Sequence, residues 1–229
     1  IEAEAMQAAS FIVQAKSVDA ARAAVLAAGG SVTHELGIID AVGASLAPLQ
    51  VETLRTAGMT LFEDAQVETA GKAGGGGSTA KVDTVYPAQT NARLLHQSGI
   101  TGAGIGIAIV DSGLMPKSEV TRDGRGRNRL LAGYNAITNS TIRGEGLSEG
   151  DTDDYGHGTH MASIAVSSGT DDSGNYNGIA PDARLVYVKA FDGLGRGSYA
   201  DVIRGIDWVV ANRATYNIRV MNLSFAAQP

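Results

Sequence analysis

The sequence predicts an α/β chain in which an incomplete parallel sheet is preceded by a small α+β unit. Three observations carry this. From Val85 onward, apolar strand-like runs alternate with helical stretches, which implies right-handed crossovers and a parallel sheet. Up to about residue 70 the elements follow the order βαββαβ. Between the two lies a glycine-rich stretch with linker composition.

In the first unit "SFIVQAK" is strand-like, and Ser17 is placed to cap the helix of "VDAARAAVLAAGG", which Gly29 and Gly30 close. "SVTHEL" and "IIDAVGASL" flank Gly37 at the spacing of a tight reversal between paired strands. Pro48 opens a second helix at its first position, Gly58 ends it, and "MTLFEDAQV" supplies the last strand. The pattern is ferredoxin-like.

"GKAGGGGSTAK" reads as a flexible linker or an engineered insert, giving units at residues 1–70 and 85–229 with residues 71–84 between them. The second unit runs from the helix "ARLLHQSG" to the strand "IGIAIVD", a long polar loop, and a helix from His157. The strand "ARLVYVKAF", the helix "SYADVIRGIDWVVANR" and the strand "IRVMNLS" follow. The sheet reads as unfinished, with an apolar edge expected after "IRVMNLSF".

The bulk numbers narrow the function classes. Of 229 residues 44% are hydrophobic, enough for one large domain or a large and a small one. A formal net charge of −6 argues against nucleic acid as a partner. The basic run Arg122 to Arg129, interrupted by glycines, reads as a solvated loop. No stretch reaches the length of a membrane span, and the absence of cysteine excludes disulfides and thiolate sites. The glycines of "GAGIG" precede a strand, whereas a dinucleotide fingerprint places them after one. Trp208 reads as a packing residue on its helix, and His160 as a packing or hydrogen-bonding one. His34 and His96 carry no supporting pattern.

Two segments carry chemistry. "IGIAIVDSGL" is a buried parallel strand by composition, and it delivers Asp111 to the crevice beyond the strand ends, where open α/β sheets bind ligands. "DDYGHGTHMASIA" places His157 between two glycines at a helix start, where close approach is open and the helix terminus favours a neutral base. Taken singly, a turn aspartate and a structural histidine account for them equally well. Asp153 and Asp154 border the same place, either as a solvated acidic loop or as a preference for a basic substrate residue.

Together, "VDSG", "GHGTHMAS" and the stretch from "GIAPDARLVYVKAF" through "VMNLSFAA" resemble the subtilisin-like serine proteases. The resemblance implies a subtilisin-like catalytic domain that hydrolyses peptide bonds in proteins through an Asp-His-Ser triad. In it Asp111 orients His157, and His157 takes the proton of a serine. It also implies that Ser224, Phe225 and Ala226 pair with extended substrate, and that residues 1–70 are a propeptide that assists folding and inhibits from within the cleft, its tail after "FEDAQV" along that strand near Ser224. Alanine at 226, where the family has glycine, is expected to narrow that approach. It implies no cofactor for the chemistry and a secreted or extracytoplasmic location. It allows a structural calcium whose ligands are left unassigned, because the family's usual acidic ligand falls near Glu119 and Val120, where the site is absent or altered. No Gly-Thr-Ser motif occurs in the chain, which places the nucleophile in a C-terminal remainder and leaves this chain alone inactive. The rival reading is a non-catalytic, protease-binding or inhibitory protein on a truncated scaffold.

Overall fold

The structure, a computed structural model, describes residues 7–71, 84–143 and 153–227. The stretch read as a linker lies almost wholly outside the described residues.

The first unit contains β1 (Ala9–Gln14), α1 (Val18–Ala27), β2 (Ser31–Leu36), β3 (Ala41–Leu46), α2 (Pro48–Thr56) and β4 (Thr60–Glu63). The strands form one antiparallel sheet in the order β2-β3-β1-β4. Ser17 Oγ accepts the Ala20 amide at 3.2 Å, which supplies the cap the sequence suggests. Val13, Val25, Val42, Leu46 and Leu54 form the core under the helices. The reversal between β2 and β3 is wider than the tight one expected at Gly37. A 3-10 turn over Gly37–Ile39 leads to Asp40, and it is Asp40 that takes the left-handed conformation. The segment read as a single last strand also divides. Asp64 breaks it by accepting from Ser10 Oγ and from the Ala200 amide, and β5 (Gln66–Thr69) leaves the unit altogether.

The second unit comprises α3 (Tyr86–Gln89), α4 (Ala92–Gln97), β6 (Gly106–Asp111), α5 (Ser118–Thr121), β7 (Leu130–Asn135), β8 (Ser140–Arg143), α6 (His157–Val166), β9 (Arg184–Lys189), β10 (Arg196–Ser198), α7 (Tyr199–Asn212), β11 (Ile218–Leu223) and β12 (Phe225–Ala227). Its main sheet has the order β11-β6-β9-β7-β8, parallel except for the β7-β8 hairpin. Strand alternation builds two cores. Ile107 and Ile109 of β6 face α6 with Leu185 and Tyr187, whereas Ala108 and Val110 face α7 with Val186 and Val188. Trp208 packs as expected, stacked on Tyr134 with ring centroids 5.0 Å apart.

The region read as a long polar loop holds β7 and β8 instead. Gly133 hides the strand in the sequence, because it leaves room for the Tyr187 ring: a Cβ there would lie 2.2 Å from it. The solvated-loop reading fails at Arg129, which is fully buried. Its guanidinium donates to the carbonyls of Val166 and Arg122, closing the C-terminus of α6 and tying it to α5. Burial pulls its pKa down to about 10. His160 is exposed on α6 and does not pack.

The two units meet along α7. Ala200 packs with Ile12, Leu36 and Ala41, and His34 Nε2 lies 3.1 Å from Asp201 Oδ1. Among the described residues no helix is long and apolar enough to cross a membrane.

Candidate active site

β6 ends on Asp111 and α6 begins on His157, and the sheet brings both to one point. The His157 Nδ1 atom lies 2.8 and 3.0 Å from the two carboxylate oxygens of Asp111, with both side chains buried. A carboxylate only accepts, so Nδ1 carries a proton and Nε2 is the nitrogen that faces the crevice. Burial pushes the Asp111 carboxyl up, opposed by hydrogen bonds from His157 and Ser112.

The two glycines beside His157 have separate jobs. Gly156 adopts φ 91° as the residue before the helix, a conformation that strains other side chains. Gly158 lets the first turn of α6 lie against the end of β6: a Cβ there would sit 2.4 Å from the Gly113 carbonyl and 3.1 Å from Asp111 Cβ. Gly158→Ala is therefore expected to push α6 off β6 and part His157 from Asp111. The overpacking should cost about 1–3 kcal/mol, read as a lower midpoint in chemical denaturation.

Asp153 does not sit in a solvated acidic loop. It is buried and accepts from Ser112 Oγ, the Gly156 and Thr159 amides and Thr159 Oγ1, at 2.7–2.8 Å. It thereby caps the helix that carries His157, a job its glycine N-cap leaves open. Burial alone would raise its pKa, but the hydrogen bonds from Ser112, Thr159 and Gly156 outweigh it and hold the carboxyl below the ordinary 3.8. Because the folded value lies below the unfolded one, the stabilisation is present above about pH 4 and is lost as pH falls through the folded value. Asp153→Asn should flatten the loss of stability below about pH 4 in urea titrations. Asp154 is the exposed member of the pair, with Lys189 Nζ 3.5 Å from its carboxylate.

β5 runs through this crevice as the middle strand of a three-stranded sheet, antiparallel to β10 on one side and β12 on the other. The Thr69 amide donates to the Gly195 carbonyl and the Ala70 amide to the Ser224 carbonyl, both at 3.0 Å. Phe225 stands opposite Thr69, and Ala226 opposite Glu68. The Ala70 carbonyl oxygen then lies 3.1 Å from His157 Nε2, and Tyr155 reaches the Gly71 carbonyl. Val67 is 1% exposed among Phe191, Val202 and Phe225. Ala226 is exposed, and its pairing with Glu68 of β5 is kept.

The structure thus brings together Asp111, His157, Ser224, Phe225 and Ala226, all named from the sequence. It adds Ser112, Tyr155 and the strand β10. The β10 signal in the sequence is Gly197, where a Cβ would lie 2.2 Å from the Ala190 carbonyl. A metal site near Glu119 and Val120 does not fit the residues present: Val120 is buried in the apolar core beside α6, and Glu119 is exposed. Among the described residues no group of three or more His, Asp and Glu side chains is gathered to hold a metal ion.

The Subtilase family (Peptidase_S8) profile matches residues 102–228. The serine protease AprX of Bacillus subtilis (strain 168) is 35% identical over 133 residues, 57% of this chain and 27% of AprX. Subtilisin E of the same organism is 32% identical over 136 residues, 59% of this chain and 30% of that protein. The chain therefore spans less than a third of the length of these relatives. Among solved structures, fervidolysin from Fervidobacterium pennivorans, a keratinolytic enzyme related to subtilisin, superposes with a TM-score of 0.64. It covers 96% of this chain and 36% of its own at 20% identity, which establishes a shared fold. With a family match over more than half its length, and with the sheet and crevice in place, the chain belongs to the subtilase family.

Proposed function

We propose that this chain is the N-terminal part of a secreted serine endopeptidase precursor, with residues 1–70 as an inhibitory, folding-assisting propeptide. One observation carries the reading: β5 lies in the crevice as an extended strand, with the Ala70 carbonyl at 3.1 Å from the Nε2 atom of a histidine held by a buried carboxylate. That lays an extended strand against the histidine with the Ala70–Gly71 bond beside Nε2.

In this reading His157 takes the proton of a serine as it attacks the Ala70 carbonyl carbon, then returns it to the Gly71 nitrogen as the peptide bond breaks. Asp111 fixes the tautomer and stabilises the imidazolium that forms between the two steps. The acyl-enzyme on Ala70 is then hydrolysed by water. Substrates are extended peptides with a small residue before the scissile bond and an aliphatic one three residues earlier, as Ala70 and Val67 are. The serine belongs to a C-terminal remainder, which also covers the edge of β11, where Val220 and Leu223 are exposed. The chemistry uses no cofactor.

The test compares residues 1–229 alone with the same chain plus the separately expressed remainder. The lone chain should hydrolyse no peptide, and the mixture should gain a hydrolysis that Asp111→Asn removes. Hydrolysis by the lone chain that disappears in His157→Ala would place the nucleophile within it and overturn the assignment.

A further inference from the structure

Behind the Asp111–His157 pair stand a fully buried serine and a second buried carboxylate, and peptide hydrolysis as described gives neither a part. Ser112 Oγ lies 2.7 Å from Asp153 Oδ1 and 3.2 Å from Asp111 Oδ1, and it accepts the Gly158 amide at 2.9 Å. A hydroxyl has one proton to give. With two carboxylates in reach, the shorter contact takes it, so the proton points at Asp153. Asp111 is left with the Ser112 amide at 2.7 Å and the His157 Nδ1 proton.

We propose that Asp153 is a positioning residue for the Asp111–His157 pair: by holding the Ser112 hydroxyl proton, it keeps Asp111 a strong acceptor for the histidine. The inference rests on reading that pair as the working acid–base couple. Each further donor to a carboxylate draws off charge and weakens the hydrogen bonds it already accepts. A hydroxyl turned onto Asp111 would compete directly with His157 at the same oxygen, Oδ1, which both approach. Asp153 also caps α6, with Oδ2 serving Thr159 and Oδ1 serving Gly156 as well as Ser112. Lys189, opposite Asp111 on β9, has its Nζ 3.5 Å from the exposed Asp154 carboxylate, and Glu68 of β5 is exposed.

The test is the low-field proton resonance of His157 Nδ1–H in the full chain, assigned by its loss in Asp111→Asn. In Asp153→Asn a neutral amide, a weaker acceptor, replaces the carboxylate that holds the Ser112 hydroxyl proton, the hydroxyl turns to Asp111, and the resonance should move upfield. Ser112→Ala should leave it at the wild-type position, because no hydroxyl bond to Asp111 is lost. Asp153→Asn in the Ser112→Ala background should then add no upfield shift. An unmoved resonance in Asp153→Asn, or an equal shift in both backgrounds, would overturn the proposal. So would a Ser112→Ala shift, and that variant decides the matter if circular dichroism shows Asp153→Asn unfolded. A wild-type chain in which Asp111→Asn removes no low-field resonance would overturn the pairing itself, and with it the functional reading.

Discussion

Replacing His157 with alanine in the full-length precursor is expected to lower peptide hydrolysis by about 10⁴-fold or more and to leave the chain uncut between Ala70 and Gly71. The size follows from the role proposed for the residue. Without a base at Nε2 the serine attacks as a neutral hydroxyl, and the departing amine leaves without a proton. In characterised serine proteases the loss of the triad histidine costs at least that much. Asp111→Asn should cost a similar factor by a different route, because an amide in place of the carboxylate favours the wrong tautomer at Nδ1. The two losses should not add, since both disable one unit. Steady-state hydrolysis and the size of the purified chain check both outcomes. A His157→Ala precursor that still matured at the wild-type rate would mean that a separate protease does the cutting.

The second large effect is expected at Val67. Its side chain is 1% exposed among Phe191, Val202 and Phe225, and the two phenylalanine rings stand 5.4 Å apart. Val67→Asp would place a carboxylate where no donor waits, at a cost of several kcal/mol. Residues 1–70 carrying it should inhibit the mature protease about 10²-fold more weakly than the wild-type unit, even though the backbone ladder with β10 and β12 remains available. Val67→Ala removes only apolar contact and should weaken inhibition about tenfold. Glu68→Ala should leave inhibition unchanged, because Glu68 points to solvent. Inhibition titrations separate the three variants. Glu68→Ala weakening inhibition more than Val67→Asp would mean that the opposite face of β5 lies in the crevice.

The elements that carry local signals were legible in the sequence. Ser17 and Pro48 mark helix starts by their own chemistry, and Gly106–Asp111 is apolar enough to be a buried strand without further help. Asp111 and His157 were legible as a pair through the resemblance, since each alone reads equally well as structural. What could not be read depends on distant partners. β7 forms because Gly133 meets a tyrosine more than fifty residues away, and nothing near Gly133 announces it. Arg129 sits in a basic run that looks solvated, and only the end of α6 explains why it is buried. Asp153 looks like half of an acidic surface pair until Ser112 and Thr159 converge on it. The resemblance places the tail after "FEDAQV" along Ser224, but the break at Asp64, which engages the start of α7 and frees β5 to cross into the second unit, shows only in the fold.

On the proposed function, the placement of β5 makes one bond the site of maturation. The measurement is the N-terminal sequence and intact mass of the protease after maturation of the wild-type precursor. The mature chain should begin at Gly71, because the Ala70 carbonyl is the one beside His157 Nε2 and its amide is paired with Ser224. A mature N-terminus within residues 84–100, with the Ala70–Gly71 bond never cut at any stage of a time course, would contradict the account of the crevice.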